Sequence, residues 1–267
     1  MDAKITARQV YKRYPSVDGG EITALEDFSL DVADGEFVCI VGPSGCGKST
    51  FLRILAGLDT ASAGSVTITP GADPRKPLNN VVFQEYAIFP WKTVLDNVAF
   101  GLEMRGVGKA EREATAREWI ERVGLTKFAG YYPHQISGGM KQRVSIARAL
   151  ANDPEVLLMD EPLGALDAQT RKVLQQEFMR IWEETRKTVV YITHSIDEAV
   201  LLGDRVILMT AHPGRTKAVF AVDIPRPRSV ESTALPAFSD LTYRIWQELE
   251  GEVVRAMGEE GQIKIEE

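Results

Sequence analysis

One short stretch, "GPSGCGKST" at residues 42–50, limits the possible folds of this chain more than any other feature. It matches the pattern G-x-x-x-x-G-K-[ST], follows the apolar run "FVCIV" and opens a helical pattern. In that context glycines let backbone N–H groups face a phosphate, and the Lys48 amine and Ser49 hydroxyl complete the site. A glycine-rich turn that only joins strand and helix would not need these two residues in register. The residues expected to surround the phosphates are Gly42, Pro43, Ser44, Gly45, Cys46, Gly47, Lys48, Ser49 and Thr50.

Strand-like runs followed by helix-like runs recur after this stretch. Examples are "EVLLMD" before "RKVLQQEFMRIWEE" and "TVVYIT" before "IDEAVLLG", with "RVILM" next. Such alternation is typical of a mostly parallel sheet with helices on its faces. The sequence therefore predicts an α/β fold with a P-loop NTPase core.

Two segments depart from this alternation. Residues 86–153 contain no convincing strand, and "AEREATAREWIERVGL" has helical periodicity, which predicts an inserted helical subdomain. Before Gly35, "EITALEDFSLDV" alternates like an antiparallel strand and predicts an N-terminal antiparallel β-subdomain. The residues placed on one face of the periodic helix are Ala116, Trp119, Ile120 and Val123.

The tail is expected to pack on the main domain. We predict a main domain over residues 1–222 and, over 223–267, an extended segment followed by a packing helix. The stretch "IPRPRS" is rich in proline, which favours extended backbone, and "FSDLTYRIWQELEGEVVRAM" places apolar residues four apart. These apolar residues are Leu241, Ile245, Leu249 and Val253.

Composition excludes several classes of protein. The chain has 267 residues, 44% hydrophobic and 26% charged, as in soluble globular proteins, and no apolar run approaches the ~20 residues that span a bilayer. A net charge of −7 argues against nucleic acid as the main partner, because duplex binding needs a basic surface. The start, "MDAKITARQVYKRY", lacks the apolar stretch of a secretory signal, which predicts a cytosolic chain.

The two cysteines, Cys39 and Cys46, lie in one segment, so a disulfide framework is excluded. Cys39 in "FVCIV" is expected to be a small buried apolar residue. Cys46 lies beside a helix N-terminus among phosphate-facing amides. There we expect a lowered thiol pKa and reactivity toward alkylating reagents, without a catalytic role.

Two carboxylates, Asp160 and Glu161, end the apolar strand of "EVLLMDEP". Asp160 is expected near a Mg²⁺ ion, directly or through water. Glu161 would reach toward a γ-phosphate and orient or deprotonate the attacking water. Alone, such a pair is more often a helix cap or a solvated turn, and the upstream phosphate loop reverses that preference.

Two more polar residues, Gln84 and His194, follow predicted strands. Gln84 is a candidate ligand of Mg²⁺ or water, and His194 a candidate contact of the γ-phosphate. A surface amide and a structural histidine are the alternatives. The carboxyl ends of parallel strands meet at one sheet edge, where ligands bind, and this favours the functional interpretation.

The stretch "ISGGMKQR" opens a second helix with Ser137, Gly138 and Gly139, and it resembles a second phosphate cradle. A plain N-cap with flexible glycines is the alternative. A chain that binds one nucleotide needs one cradle, so the second requires an explanation.

The ordered set "GPSGCGKST", Gln84, "ISGGMKQR", "VLLMDEP", "LGALD" and His194 resembles the nucleotide-binding subunit of ATP-binding-cassette (ABC) transporters, over about residues 3–213. The resemblance implies ATP and Mg²⁺ as cofactors, with Glu161 as the catalytic carboxylate and His194 as the switch histidine. It further implies that "ISGG" is the signature and that Asp167 ends the D-loop. Tyr14 matches the aromatic residue that stacks on adenine and is preferred over Tyr11. Ser49, Gln84 and Asp160 are the implied metal-site residues.

The same resemblance explains the two cradles. Subunits of this family pair head to tail, so that the phosphate loop of one faces the signature of the other across ATP. The partner is then a second copy or a homologous ATPase subunit.

A finer resemblance links "FPW", "TVLDNV" and "IPRPR" to the nitrate, sulfonate, taurine and bicarbonate branch of bacterial importers. It implies an ATPase on the cytoplasmic face of the inner membrane, with separate permease subunits and, indirectly, a solute-binding protein. Phe89, Pro90 and Trp91 are candidate permease contacts, while a core position for Phe89 and Trp91 is the equal alternative. The solute is not specified, because other polypeptides of such systems contact it.

Other classes that use related chemistry fit less well. A chromosome or repair ATPase of this type would need a long coiled coil between Gln84 and Ser137, and a translation factor would carry two cassettes. A GTPase would need N-K-x-D, and a fused exporter would need transmembrane helices. The sequence contains none of these.

Overall fold

A computed structural model of the chain describes residues 3–16 and 19–259. They form two compact units, one within residues 1–69 and 187–267 and the other within 70–186. Residues 260–267, the end of the predicted tail segment, lie outside the described part. Among the described residues, no helix combines the length and the apolar character needed to cross a membrane.

The strands are β1 (Ala3–Pro15), β2 (Glu21–Ala33), β3 (Phe37–Val41), β4 (Ala63–Ile68), β5 (Asn79–Val82), β6 (Val156–Asp160), β7 (Thr188–Ile192), β8 (Arg205–Met209) and β9 (Thr216–Ala221). The α-helices are α1 (Lys48–Leu55), α2 (Val94–Met104), α3 (Lys109–Arg122), α4 (Gly138–Ala151), α5 (Ala168–Thr185), α6 (Ile196–Leu202) and α7 (Pro236–Glu259). Short 3-10 helices cover Thr126–Phe128, Pro133–Gln135 and Val230–Ala234.

The first unit contains a three-stranded antiparallel sheet in the order β2-β1-β4. The predicted N-terminal antiparallel β-subdomain is therefore confirmed, and β4, which follows α1 in the chain, completes it. Phe28 of β2 packs against Phe51 of α1 with ring centroids 4.5 Å apart. This sheet thus supports the helix that the phosphate loop opens.

The first unit also contains four neighbouring strands in the order β7-β3-β8-β9. β3 is parallel to β7 and β8, and all five of its residues are buried, as expected for a central strand of a parallel sheet. β9 pairs antiparallel with β8, which the sequence patterns did not indicate. In the second unit β5 and β6 form a parallel pair. The predicted α/β class with a mostly parallel sheet is confirmed.

Between β5 and β6 the second unit is helical. This stretch is described throughout and contains α2, α3 and α4 with two 3-10 helices but no strand. On α3, Ala116 and Ile120 are fully buried, whereas Trp119 is half-buried with the Arg122 guanidinium 4.8 Å from its ring centroid. The periodic face of α3 therefore packs inward, with Trp119 at its margin.

The proline-rich tail segment is fixed by Arg228, whose side chain is buried. Its guanidinium donates hydrogen bonds to backbone carbonyls at the C-terminal end of α6 and in the tail itself. The acceptors are the carbonyl oxygens of Val200, Leu201, Gly203, Val222 and Ile224. Carbonyls at a helix C-terminus lack partners within the helix and attract positive charge, so this arginine joins the tail to α6.

Arg228→Ala should lower the free energy of unfolding by about 3–5 kcal/mol, because it leaves several buried carbonyl oxygens without a donor. Urea unfolding measures the change. Arg75→Ala is the matched control, since the Arg75 side chain is 83% exposed and its removal should cost no more than about 0.5 kcal/mol. Equal effects of the two variants would show that Arg228 does not anchor the tail.

Candidate nucleotide-binding site

The phosphate loop lies in the first unit, between β3 and α1. Gly45 and Gly47 have φ values of 72° and 103°, a region that favours glycine. A Cβ on Gly47 would also lie 2.6 Å from the Ala24 carbonyl oxygen. The loop conformation therefore depends on glycine, which explains its place in the motif.

Lys48 is buried at the start of α1, with 6% of its surface exposed. Its Nζ donates hydrogen bonds to the carbonyl oxygens of Gly42 and Pro43 at 2.8 and 2.7 Å. The loop thus curls around its own ammonium group, and Ser49 follows in the first turn of α1. This arrangement places a positive charge and helix N–H groups together, as binding of a phosphate requires.

Cys46 corrects one sequence-based expectation. Its side chain is buried, with 1% exposed, and this burial raises the pKa of the thiol, although nearby Lys48 acts in the opposite direction. The sequence pattern predicts a lowered thiol pKa and a thiol reactive toward alkylating reagents. That expectation is wrong because removal from water disfavours the thiolate more than the lysine stabilises it.

Tyr14 lies near the end of β1 and is half-buried. Its hydroxyl donates a hydrogen bond to Asp59 Oδ2 at 2.7 Å, and Lys12 Nζ lies 2.5 Å from Asp59 Oδ1. Hydrogen bonds from Lys12 first, and then from Tyr14, lower the pKa of Asp59 to about 2. The aromatic residue matched to adenine stacking is thus held by an ion pair that the sequence did not reveal.

His194 follows β7 and is exposed. The backbone around it is held by Thr193, whose hydroxyl donates to the buried Glu198 carboxylate at 2.5 Å and accepts from the Ser195 N–H at 3.0 Å. Sequence reasoning missed Glu198, and its position four residues after the histidine was the available signal. The imidazole therefore lies on a turn whose backbone is held by these two hydrogen bonds.

In the second unit, Asp160 is the last residue of β6 and Glu161 follows it. Glu161 has a φ of +43°, a left-handed backbone conformation that residues other than glycine seldom adopt. Its carbonyl oxygen accepts a hydrogen bond from the Gly164 N–H at 3.0 Å. Strained backbone of this kind is concentrated at functional sites and supports a functional role for the carboxylate.

Gln84 and Glu161 converge within the second unit. A Cβ placed on Gly164 would lie 3.7 Å from Gln84 Nε2 and 3.7 Å from Glu161 Oε2. The Gln84 amide and the Glu161 carboxylate therefore approach the same point from two segments far apart in the chain. A carboxylate and an amide in this arrangement are suited to orient a water molecule.

The second cradle opens α4, where Ser137 is the N-cap and accepts a hydrogen bond from the Met140 N–H at 3.4 Å. Both glycines are crowded by side chains of the same unit. A Cβ on Gly138 would lie 2.7 Å from the Tyr86 hydroxyl, and one on Gly139 would lie 2.7 Å from Thr170 Cγ2. Packing within the unit thus favours glycine at both positions, independently of the phosphate binding that the sequence predicts.

Asp167 is the exposed N-cap of α5 and accepts hydrogen bonds from the N–H groups of Gln169 and Thr170 at 3.1 and 3.0 Å. The bond from the Thr170 N–H is the main cause that lowers the pKa of Asp167. A helix cap explains this residue locally, in addition to its match to the D-loop.

The segment after Gln84 carries Phe89 and Trp91, and the two differ. Trp91 is 71% exposed, so the alternative of a core position is wrong for it. Phe89 is half-buried, packed between Trp91 and Phe100 with ring centroids 5.6 and 4.5 Å away.

Asn97, which sequence reasoning also missed, is fully buried and supports this turn. It accepts a hydrogen bond from the Phe89 N–H and donates to the carbonyl oxygens of Phe89, Lys92 and Thr93. An exposed tryptophan on so firmly held a turn is typical of a contact surface.

Comparisons with known proteins agree with these features. Residues 25–164 match the family described as "ABC transporter". An ABC transporter ATP-binding protein of Methanocaldococcus jannaschii is 47% identical over 263 residues, with 96% of this chain and 95% of the relative covered. The taurine import ATP-binding protein of Rhizobium johnstonii is 45% identical over 240 residues, with 85% and 89% covered. The bicarbonate transport ATP-binding protein of Synechocystis sp. is 45% identical over 255 residues, with 92% of this chain and 38% of the relative covered.

Solved structures show the same similarity. One is described as the dimeric structure of a bacterial ABC transporter cassette, with a TM-score of 0.71 and 37% identity over 82% of this chain and 98% of that chain. Another, described as a post-hydrolysis state bound to ADP and Pi, has a TM-score of 0.71 and 36% identity.

Proposed function

The chain belongs to the ABC transporter family and is an ATPase, and we propose that it energises the import of a small solute through separate permease subunits. The observation that carries the catalytic part of this proposal is the convergence of Gln84 and the strained Glu161 beside Gly164. A carboxylate held there would deprotonate or orient the water that attacks the γ-phosphate of ATP.

The phosphate loop would bind the ATP phosphates through the glycine-rich backbone, Lys48 and Thr50, and the Tyr14 ring would stack on adenine. Ser49, Asp160 and Gln84 offer a hydroxyl, a carboxylate and an amide oxygen, which are the donors that Mg²⁺ prefers. The ion would supply charge neutralisation on the phosphates. His194 would contact the γ-phosphate.

We further propose that two subunits pair head to tail and share each ATP between the phosphate loop of one and Ser137, Gly138 and Gly139 of the other. The resemblance to a dimeric cassette supports this arrangement. It gives the second cradle a purpose, since a helix N-terminus with a serine hydroxyl stabilises an anion. ATP then holds the interface together, and loss of its γ-phosphate weakens it.

The solute would be a small anion or organic solute of the nitrate, sulfonate, taurine and bicarbonate class. Relatives named for taurine and bicarbonate transport support this class. The subunit would lie on the cytoplasmic face of the inner membrane, bound to its permease and indirectly served by a solute-binding protein.

Reconstitution tests the import function. The chain, placed in vesicles with the permease and solute-binding protein of its own system, should drive ATP-dependent uptake of one of these four solutes. The Glu161→Gln variant is the inactive control. Uptake of none of them, or ATP-dependent efflux, would contradict the proposed function.

Trp91→Ala should weaken co-purification with the permease while leaving ADP affinity and stability of the isolated subunit unchanged, because the side chain is largely exposed. The Phe89→Ala/Trp91→Ala double variant should weaken it further. Trp246→Ala, which removes an exposed tryptophan from α7, is the matched control and should leave association intact. Equal loss of stability and association in Trp91→Ala would instead favour a structural role.

A further inference from the structure

The Tyr14 ring is fixed at its tip by two hydrogen bonds. Its hydroxyl donates to Asp59 Oδ2 at 2.7 Å and is hydrogen-bonded by the Thr50 hydroxyl. Thr50 belongs to α1, the helix that the phosphate loop opens. The ring is thus tied to the same helix that would bind the phosphates.

One face of the ring is covered by Lys12. The Lys12 Nζ lies 4.7 Å from the centroid of the Tyr14 ring, within the range of a cation–π contact. The same ammonium donates to Asp59 Oδ1 at 2.5 Å and to the Thr60 carbonyl oxygen at 2.9 Å, and only 10% of the side chain is exposed. Lys12 therefore occupies a fixed position against the ring.

Together these contacts remove the rotational freedom that a half-buried tyrosine near a strand end would otherwise have. Asp59 connects them, since one carboxylate oxygen binds the ring hydroxyl and the other binds the ammonium. The hydrogen bonds from Lys12 and Tyr14 lower the pKa of Asp59 to about 2, so the carboxylate that joins these contacts is charged at neutral pH.

We propose that Lys12 and Asp59 are positioning residues that fix the Tyr14 ring as the platform for adenine, at a set distance from the phosphate loop. This inference rests on the proposed role of Tyr14 in binding the base. A platform that is already ordered costs less entropy when the nucleotide binds, so the ion pair acts on affinity without touching the nucleotide. Stacking of the base on the ring contributes to affinity, and it is lost in part when the ring is free to rotate.

Binding of ADP and of inorganic tripolyphosphate, measured by calorimetry, tests the proposal. Asp59→Asn and Lys12→Met should each weaken ADP binding about 3–10-fold and leave tripolyphosphate affinity unchanged, because only the base uses the ring. Asp31→Asn is the matched control, since it removes an exposed ion pair with Arg8 on the same sheet and should change neither affinity.

The same substitutions made in the Tyr14→Ala protein distinguish a positioning role of Lys12 and Asp59 from a purely structural one. Without the ring, Asp59→Asn and Lys12→Met should have no further effect on ADP affinity. In the assembled transporter these single variants should raise the KM for ATP and leave kcat at saturating ATP the same. Tyr14→Phe, which keeps the ring and removes the hydroxyl, should weaken ADP binding to a similar extent as Asp59→Asn.

The outcomes distinguish this inference from the proposed function. If Tyr14→Ala itself leaves ADP affinity unchanged, Tyr14 is not the adenine platform and that part of the proposed function fails. If Tyr14→Ala weakens ADP binding while Asp59→Asn and Lys12→Met do not, only the positioning inference is overturned. It is also overturned if the variants weaken ADP and tripolyphosphate equally, because the ion pair then serves the fold alone.

Discussion

Glu161→Gln should lower the rate of ATP hydrolysis by about 10²–10⁴-fold while nucleotide binding is retained, because general bases commonly contribute that factor. The amide preserves the shape of the side chain and removes its basicity. Because the amide has nearly the same shape, the left-handed backbone at this position should be retained in the variant, and the side chain should still approach Gln84 beside Gly164. The loss should therefore fall on kcat.

Steady-state hydrolysis by the assembled transporter, with ATP binding measured in parallel, decides this prediction. Glu85→Gln is the matched control, because Glu85 is an exposed carboxylate next to Gln84 and its replacement should leave kcat nearly unchanged. Near wild-type turnover in Glu161→Gln would show that Glu161 is not the base, and Asp160 would then be the candidate.

Lesions in either cradle should abolish ATP occlusion by a dimer that carries the lesion in both subunits. Lys48→Ala removes a buried ammonium from the phosphate loop and should weaken ATP binding about 10–100-fold, as expected for a charge-assisted hydrogen bond. Gly138→Asp places a carboxylate at the second cradle, where in the proposed head-to-tail dimer like-charge repulsion against the γ-phosphate should cost several kcal/mol.

Packing at Gly138 requires a control of its own. A Cβ at this position meets the Tyr86 hydroxyl, so Gly138→Asp changes both charge and space. The Tyr86→Phe/Gly138→Asp double variant removes that hydroxyl and keeps the carboxylate. Occlusion should remain absent in the double variant if charge is the cause, and should return if crowding is the cause.

The fold class could be predicted from local sequence patterns, because each pattern indicates one strand, loop or helix. The buried run "FVCIV" and the glycines after it specified β3, the loop and α1, and apolar spacing specified the packing face of α7 through Leu241, Ile245 and Leu249. Strand β9 was missed, since its pairing with β8 depends on a partner rather than on its own sequence.

The arrangement of the candidate site was harder to predict from the sequence than the fold class. Motif spacing identified candidate residues such as Glu161 and Gln84, but their approach to one point beside Gly164 is a tertiary property. The contact between Lys12 and Asp59 joins residues 47 positions apart and leaves no local pattern. Cys46 was misjudged because its burial, which sets the direction of its pKa, depends on packing around the loop.

The shared use of ATP by two subunits is the central claim, and a mixed dimer tests it most directly. Lys48→Ala and Gly138→Asp subunits, both carrying Glu161→Gln to prevent turnover, are combined with the permease. Head-to-tail pairing gives one site with both lesions and one site with neither.

Occluded ATP per mixed dimer is the quantity to measure. If binding energy is shared across the interface, about one nucleotide is expected per mixed dimer and none in either parent dimer. If ATP is occluded only when both cradles of one polypeptide are intact, the two cradles act within a single chain and the head-to-tail arrangement is wrong.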